Sequence, residues 1–384
     1  PTATFSLGGK FATVTAQSWT PTLPPDATQH ASLPGVQPHW VSANLPSGFG
    51  LSYHYSWTAV SADNGNIAYS CSQSGPLPGG PVSPVETVKT WNAGGSWTRM
   101  ANLNQPWDGC GFIIVDDLNP AIAFMDGMQG VGTDDIATTR DGGQSWHASA
   151  VPSIGFVQKL ASVGGRTYGL FIASDKSASL DVSVDGLVTW RDITGPMAHQ
   201  GLTTFWANPF TDALLAETSP TYLGPVTLWR SSDGGAHWTS NALPFSVAGT
   251  LVARAPTSAS PWTLCLNQGS GFPGGIACST DSGMTWAALP ALDDSGLFGY
   301  DAIDIADDGA VLARGTTNSV WRLYRLPRGA TRWQALGDMP MTTGTLLYTH
   351  DVGGDGLLWS FPSVKGGGSG DANPSNVYVA RYPY

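Results

Sequence analysis

Apolar and β-branched residues alternate with polar residues in short runs along the chain, and Gly, Asp and Pro bound each run. Residues 107–149 are a typical stretch, in which GFIIVDD, AIAFMD, DIATTR and SWHASA follow one another with tight turns between them. A period of two over a few residues predicts β-strands, because a helix would repeat every 3.6 residues over a longer segment. The pattern therefore predicts units of four short strands.

A polar segment that ends in tryptophan recurs along the chain, and we call it the recurrent turn. Its copies are TWNAGGSW (90–97), TTRDGGQSW (138–146), SVDGLVTW (183–190), SSDGGAHW (231–238), STDSGMTW (279–286) and the degenerate RGATRW (328–333). The final tryptophans stand 44 to 49 residues apart. Strand-rich units at a period of about 40–50 residues are typical of β-propeller blades.

The two ends of the chain complement each other. NVYVARYPY (376–384) has the pattern of a third strand, and AQSWTPTL (16–23) has that of a fourth strand without the first three. A ring removes its exposed edges by closing, so we expect residues 1–23 to complete the last blade. Residues 24–52 are then a long loop insertion before the first continuous blade. The prediction is an all-β, single-domain (1–384), seven-bladed β-propeller with four-stranded antiparallel blades.

The pattern Ser/Thr-x-Asp-x-Gly-x-Ser/Thr-Trp resembles the Asp-box, or BNR repeat, of sialidases, sortilin-type receptors, xyloglucanase-type glycosidases and photosystem assembly factors. The resemblance implies the propeller architecture and no single function. Asp side chains bond their own backbone in turns, Gly supplies positive φ, and Trp buries a large ring between sheets. We therefore assign a structural role to Asn92, Trp97, Asp141, Trp146, Asp185, Trp190, Asp233, Trp238, Asp281 and Trp286. Leu187 replaces Gly in the third copy, and we expect that turn to be distorted.

The charge balance excludes some partners. The chain has 17 Lys+Arg against 28 Asp+Glu and a formal net charge of −11, so nucleic acid and anionic membrane surfaces would repel it. No apolar run approaches the roughly 18 residues of a membrane span. Because the first residue is Pro1 and no signal peptide is present, we expect a processed or excised segment.

The four cysteines lack the C-x-x-C spacing of zinc or thioredoxin-like sites. A turn-rich stretch separates Cys265 from Cys278, which predicts that they lie on neighbouring antiparallel strands and form a disulfide. Cys71 and Cys110 are the second candidate pair. An even cysteine count fits an exported protein, and the alternative is four buried free thiols.

Function is expected on the irregular loops of the face opposite the recurrent turns, because variable loops on a rigid scaffold carry binding residues. These loops are rich in aromatic and neutral polar side chains, which suit carbohydrate. The predicted ligand-binding residues are Trp40, Tyr53, His54, Tyr55, Trp107, His199 and Tyr300. For Trp40 and Trp107 the alternative is that they only pin their loops to the scaffold. The main prediction is an exported, non-catalytic recognition module for carbohydrate or another component of the cell envelope or extracellular space.

Two further functions stay open. A glycoside hydrolase or lyase would need two carboxylates roughly 5–10 Å apart, and Asp108 and Asp301 are the weak candidates. A protein-binding scaffold would expose a broad apolar patch and bind an extracellular protein. Sialidase activity is not expected, because a resemblance to sialidases implies an Arg-Ile-Pro segment near the start, and the chain has none. Neither a metal site nor a cofactor is predicted.

Overall fold

The fold is an all-β ring of seven four-stranded antiparallel blades. The computed structural model describes residues 2–7, 10–15, 39–43, 45–46, 54–61, 64–73, 85–101, 112–127, 135–151, 155–220, 225–243, 251–254, 261–267, 276–292, 297–306, 308–317, 320–340, 344–350, 356–362 and 377–382. The chain begins with β1 (Thr2–Leu7), β2 (Lys10–Thr15) and β3 (Val41–Ser42).

The first three blades follow in chain order. Blade 1 consists of β4 (His54–Val60), β5 (Ala68–Gln73), β6 (Val85–Thr90) and β7 (Thr98–Arg99). Blade 2 consists of β8 (Phe112–Val115), β9 (Ala123–Gly127), β10 (Asp135–Thr139) and β11 (His147–Ala150). Blade 3 consists of β12 (Gly155–Val163), β13 (Arg166–Ala173), β14 (Ala178–Ser183) and β15 (Arg191–Asp192). A 3₁₀ turn, Gly195–Met197, leads to blade 4.

The last four blades repeat the same meander. Blade 4 consists of β16 (Leu202–Ala207), β17 (Leu214–Thr218), β18 (Thr227–Ser231) and β19 (Thr239–Ala242). Blade 5 consists of β20 (Leu251–Arg254), β21 (Thr263–Asn267), β22 (Ile276–Ser279) and β23 (Ala287–Ala288). Blade 6 consists of β24 (Leu297–Ile305), β25 (Val311–Thr317), β26 (Val320–Leu326) and β27 (Gln334–Asp338). Blade 7 consists of β28 (Gly344–His350), β29 (Gly356–Pro362), β30 (Tyr378–Tyr382) and β3.

An N-terminal strand closes the ring, as expected, but the strand is not the predicted one. β3 pairs with β30 through Val41 and Val379, and the Ala43 N–H donates to the Val377 carbonyl oxygen (2.6 Å). Residues 1–23 do not supply this strand: β1 and β2 pair with each other, and residues 16–23 lie outside the described part of the chain.

The physical reason for this correction is the tryptophan that precedes each fourth strand. Trp40 stands directly before β3, as Trp97 stands before β7 and Trp146 before β11. Trp40 precedes Trp97 by 57 residues, which is closer to the repeat than the 78 residues between Trp19 and Trp97.

The buried apolar residues that the structure describes form seven clusters, one between each pair of neighbouring blades. Each cluster receives one partly buried tryptophan: Trp97 between blades 7 and 1, Trp146, Trp190, Trp238, Trp286 and Trp333 at the next five junctions, and Trp40 between blades 6 and 7. Burial of such a large ring removes much apolar surface from water. The recurrent tryptophans therefore join the blades into one ring.

A disulfide joins the middle strands of blade 5. Cys265 and Cys278 are register partners on β21 and β22, and their sulfur atoms are bonded, as predicted. Cys71 is also disulfide-bonded, and its predicted partner Cys110 lies outside the described residues. Within the described residues no helix is long and apolar enough to cross a membrane.

Candidate functional site

The aspartates of the recurrent turns are occupied by hydrogen bonds within their own turns. Asp141 Oδ1 accepts from the Thr139 hydroxyl (2.9 Å) and the Ser145 N–H (2.9 Å), and its Oδ2 accepts from the Ser145 hydroxyl (2.6 Å). The hydroxyl two residues before the acid and the N–H four residues after it bind Asp185, Asp233 and Asp281 in the same way. These carboxylates stabilise turns.

These hydrogen bonds also stabilise the ionised form of the carboxylates. The hydroxyls of Ser145, Thr189 and Thr285 contribute most for Asp141, Asp185 and Asp281, and the His237 N–H contributes most for Asp233, lowering each pKa to about 2. A group ionised in this way at neutral pH is not a general acid.

The turn of blade 3 keeps the common geometry despite its leucine. Leu187 has φ 74°, its N–H donates to the Ser183 hydroxyl (2.9 Å), and its side chain is buried in the cluster between blades 2 and 3. The expectation of a distorted turn was therefore wrong. Leu187 adopts the positive φ that glycine has in the other turns, and its side chain is buried in the core there. Asn92 accepts from the Thr90 hydroxyl (2.9 Å) and the Ser96 N–H (2.9 Å), as the aspartates do.

The innermost strands of four blades carry irregular register near their first residues. The register shifts between His54 and Ser56 in β4, between Val157 and Lys159 in β12, between Leu202 and Thr204 in β16, and between Leu297 and Tyr300 in β24. Bulges re-aim side chains and are frequent beside functional sites. We call these four strand beginnings, on the face opposite the recurrent turns, the channel mouth.

The structure distributes the predicted site residues over several places. His54 and Tyr55 lie in β4 of blade 1, and Tyr300 and Asp301 lie in β24 of blade 6, so they share the channel mouth on different blades. Asp301 is the register partner of Arg314. The predicted residues Tyr53, Trp107 and Asp108 lie outside the described residues.

Two predicted ligand residues lie elsewhere. Trp40 packs against the core cluster between blades 6 and 7, so its position favours the alternative that it anchors the chain. His199 is exposed in the connection from blade 3 to blade 4, with φ 64°.

Lys159 and Glu217 are opposite charges that attract each other at the seam between blades 3 and 4, where neither residue was predicted. Lys159 Nζ donates to the Thr204 hydroxyl (3.0 Å), and the Thr203 hydroxyl donates to Glu217 Oε1 (3.0 Å). Lys159 Nζ also lies 4.9 Å from the ring centroid of Trp206. The seam therefore combines charge, hydroxyls and an aromatic ring.

Burial shifts the pKa of both charged groups. It lowers the pKa of Lys159 to about 8, against the opposing attraction of Glu217. It raises the pKa of Glu217, against the Thr203 hydrogen bond and the charge of Lys159. Perturbed groups of this kind concentrate at functional sites. The sequence signal was a lone charge in each of two mainly apolar strands, FVQKLASV and LLAET.

A groove of about 450 Å³ lies between the fourth strand of blade 3 and the recurrent turn of blade 4, and we call it the interblade groove. Its lining residues are Arg191, Asp192, Ile193, Gly195, Pro196, Gly235, Ala236, His237 and Trp238. The Trp238 indole N–H donates to the Ile193 carbonyl oxygen (2.9 Å), which fixes the ring at the groove. Within the described residues no group of three or more His, Cys, Asp or Glu side chains is arranged to hold a metal ion.

The comparisons with known proteins identify the fold and leave the function open. The GH74 xyloglucanase from Xanthomonas campestris is 14% identical over 89% of this chain, with a TM-score of 0.56, and this chain spans 55% of its length. YCF48 bound to D1 peptide is 13% identical over 94% of this chain and 99% of its own, with a TM-score of 0.56. A chain of the mitotic checkpoint complex is 11% identical over 98% of this chain and 100% of its own, with a TM-score of 0.55. The chain has the fold of these propellers. No protein-family model and no curated protein matches it.

Proposed function

We propose that this chain is an exported, non-catalytic recognition module that binds carbohydrate of the cell envelope or extracellular space. The observation that carries the proposal is the composition of the channel mouth where the structure describes it. The Gln158 amide and the Thr203 and Thr204 hydroxyls lie at the seam between blades 3 and 4. The Trp206 ring packs against the cluster between blades 4 and 5, and its centroid lies 4.9 Å from Lys159 Nζ. Sugar hydroxyls need neutral hydrogen-bonding partners, and sugar rings pack on aromatic faces.

The acids of the described residues support binding without catalysis. The recurrent-turn aspartates are occupied by their turns, and some other acids form ion pairs with arginines, as Glu86 does with Arg99 (2.6 Å) and Asp338 with Arg322 (2.9 Å). A glycosidase would need a separated pair of free carboxylates. Asp108 and Asp301 remain the candidates for that alternative, and an assay for product tests them.

Export and family membership are parts of the same proposal. Disulfides persist in oxidising compartments, and the Cys265–Cys278 bond supports export. Four turns with the same carboxylate hydrogen bonds support membership in the Asp-box family.

A second candidate, a protein-binding scaffold, is favoured by exposed apolar side chains. Among the described residues, several large apolar side chains are exposed in turns on the recurrent-turn face: Leu118, Val184, Val188, Phe210 and Met284. Exposed apolar surface marks protein-interaction sites. A propeller of similar length, YCF48, is bound to D1 peptide.

A glycan array, followed by reducing-end assays on every hit, tests the leading function. We expect binding without product, weakened about five- to tenfold by Gln158→Ala, because a lost hydrogen bond costs roughly 1–1.5 kcal/mol. Gln144→Ala is the matched control: both glutamines are exposed and donate one bond to a carbonyl oxygen, but Gln144 lies on the opposite face. Product release would instead identify an enzyme, and absence of any glycan binding would favour the protein scaffold.

A further inference from the structure

We propose that the interblade groove is a second binding site, for a neutral sugar, separate from the channel mouth. Its ligand class rests on the proposed function, but its location does not. The volume of about 450 Å³ lies within the range of roughly 300–1,000 Å³ that is usual for small-ligand sites.

The charges of the groove select an uncharged ligand. Arg191 supplies a guanidinium and Asp192 the adjacent carboxylate, and both side chains are exposed. His237 lies beside the Asp233 carboxylate, with Nδ1 to Oδ2 at 2.6 Å. Asp192 would repel an anion, whereas Arg191 would repel a cation. A polyhydroxylated neutral ligand can accept from one group and donate to the other.

The backbone beside Trp238 contacts the ring without covering all of it. The chain after β15 continues through Gly195 and Pro196, where a Cβ at Gly195 would lie 3.5 Å from Trp238 Cδ1, an ordinary contact distance. At the next turn, Gly235 allows close contact with Ile193, since a Cβ there would approach Ile193 to 2.8 Å. The two blades therefore pack closely at Gly235, and Trp238 stays partly exposed in the groove.

Ala236 keeps the groove open at its turn side. It occupies the exposed position two residues before the tryptophan, where blades 2, 3 and 5 carry Gln144, Val188 and Met284. Larger side chains are therefore compatible with this turn. At blade 4 a larger side chain would fill the groove.

Titration calorimetry of the full chain with neutral glucose-, mannose- and galactose-containing oligosaccharides tests the groove. We expect Ala236→Met and Arg191→Ala each to weaken one binding event at least about tenfold, because they block the groove or remove a charged donor. Gln144→Met makes the matched change at the same turn position of blade 2 and should bind as the unchanged chain does. Gln158→Ala at the channel mouth should leave this event intact.

The other outcomes separate the two proposals. Unchanged binding by both groove variants, together with weaker binding by Gln158→Ala, overturns the groove and leaves the proposed function standing. No binding of any oligosaccharide overturns both. Tighter groove-dependent binding of sialylated or sulfated oligosaccharides than of neutral ones overturns the ligand class.

Discussion

At the scale of the residue, one carboxylate organises each recurrent turn. Asp141 accepts bonds from a hydroxyl before it and from a backbone N–H and a hydroxyl after it. The effect is like that of a helix cap, in which a side-chain oxygen accepts from a backbone donor that would otherwise lack a partner. The role depends on hydrogen-bond acceptance and not on acidity, since Asn92 performs it in blade 1.

The variant Asp141→Ala tests this role. It removes the acceptor for these donors, and we expect the free energy of unfolding to fall by about 1 kcal/mol, as for loss of a capping residue. Urea unfolding followed by tryptophan fluorescence measures the change. Asp141→Asn is the control and should lose less, because the amide oxygen still accepts. Equal losses for the two variants would contradict the role.

Residue types alone identified the turn acids and missed the Lys159–Glu217 pair. The hydrogen bonds of the turns join residues that are two and four positions apart, so a short sequence motif includes both partners. Lys159 and Glu217 belong to different blades and attract each other only because the ring brings β12 beside β16. A short sequence motif cannot predict an interaction between residues of two different blades.

At the scale of the element, four recurrent turns share one pH response. The pKa values of Asp141, Asp185, Asp233 and Asp281 are about 2 in the folded chain, below the roughly 3.9 of an unfolded aspartate. Each acid therefore stabilises the fold above about pH 4, and this stabilisation is lost as the pH falls from about 4 to about 2.

We accordingly expect the free energy of unfolding to decrease between about pH 4 and pH 2, and urea titrations across this interval measure it. Burial raises the pKa of Asp181 and Glu217, so their contribution changes above about pH 4, outside the interval. Asp141→Asn should show a smaller decrease. A constant free energy across the interval would refute the shared response.

The disulfide of blade 5 stabilises a hairpin of two middle strands. Cys265 and Cys278 are 13 residues apart, and closing a loop of this size is worth about 3 kcal/mol in the chain-entropy model. We expect the double variant Cys265→Ala, Cys278→Ala to lose about 2–3 kcal/mol in chemical denaturation. A midpoint equal to that of the unchanged chain would show that the bond adds nothing.

Strands and turns were predictable, because the alternation of apolar and polar residues and the Gly and Asp residues at the turns are local features of the sequence. The bulges of β4, β12, β16 and β24 were not, because a bulge depends on register with the neighbouring strand. These bulges shape the channel mouth, so the arrangement of its side chains could not be predicted from the sequence, and a functional role of this face stays a prediction.

At the scale of the whole molecule, seven tryptophan clusters and one closing strand make the ring. The even spacing of the recurrent turns predicted seven blades. It misplaced the closing strand because AQSWTPTL repeats the Gln-Ser-Trp of the blade 2 turn and continues into a strand-like run, whereas Trp40 follows Pro38 and His39. Trp40 packs between blades 6 and 7 because it directly precedes β3, the fourth strand of blade 7, although the recurrent-turn motif is absent there.

Two truncations that differ by five residues test the closure. Removal of residues 1–38 leaves Trp40 and β3 in place, and we expect cooperative unfolding to persist. Removal of residues 1–43 also deletes Trp40 and β3, and we expect a further loss of at least about 3 kcal/mol, as for truncation of a packed tryptophan. An exposed edge at β30 should also promote self-association. Thermal unfolding and size-exclusion chromatography compare the two, and identical behaviour would contradict closure by β3.

The central claim is recognition of carbohydrate without catalysis. The most direct test is equilibrium binding of the full chain to the glycans that the array selects, with reducing ends measured in the same samples after binding reaches equilibrium. The account predicts saturable binding and no increase in reducing ends. Absence of saturable binding, or release of reducing ends that depends on Asp108 or Asp301, would contradict it.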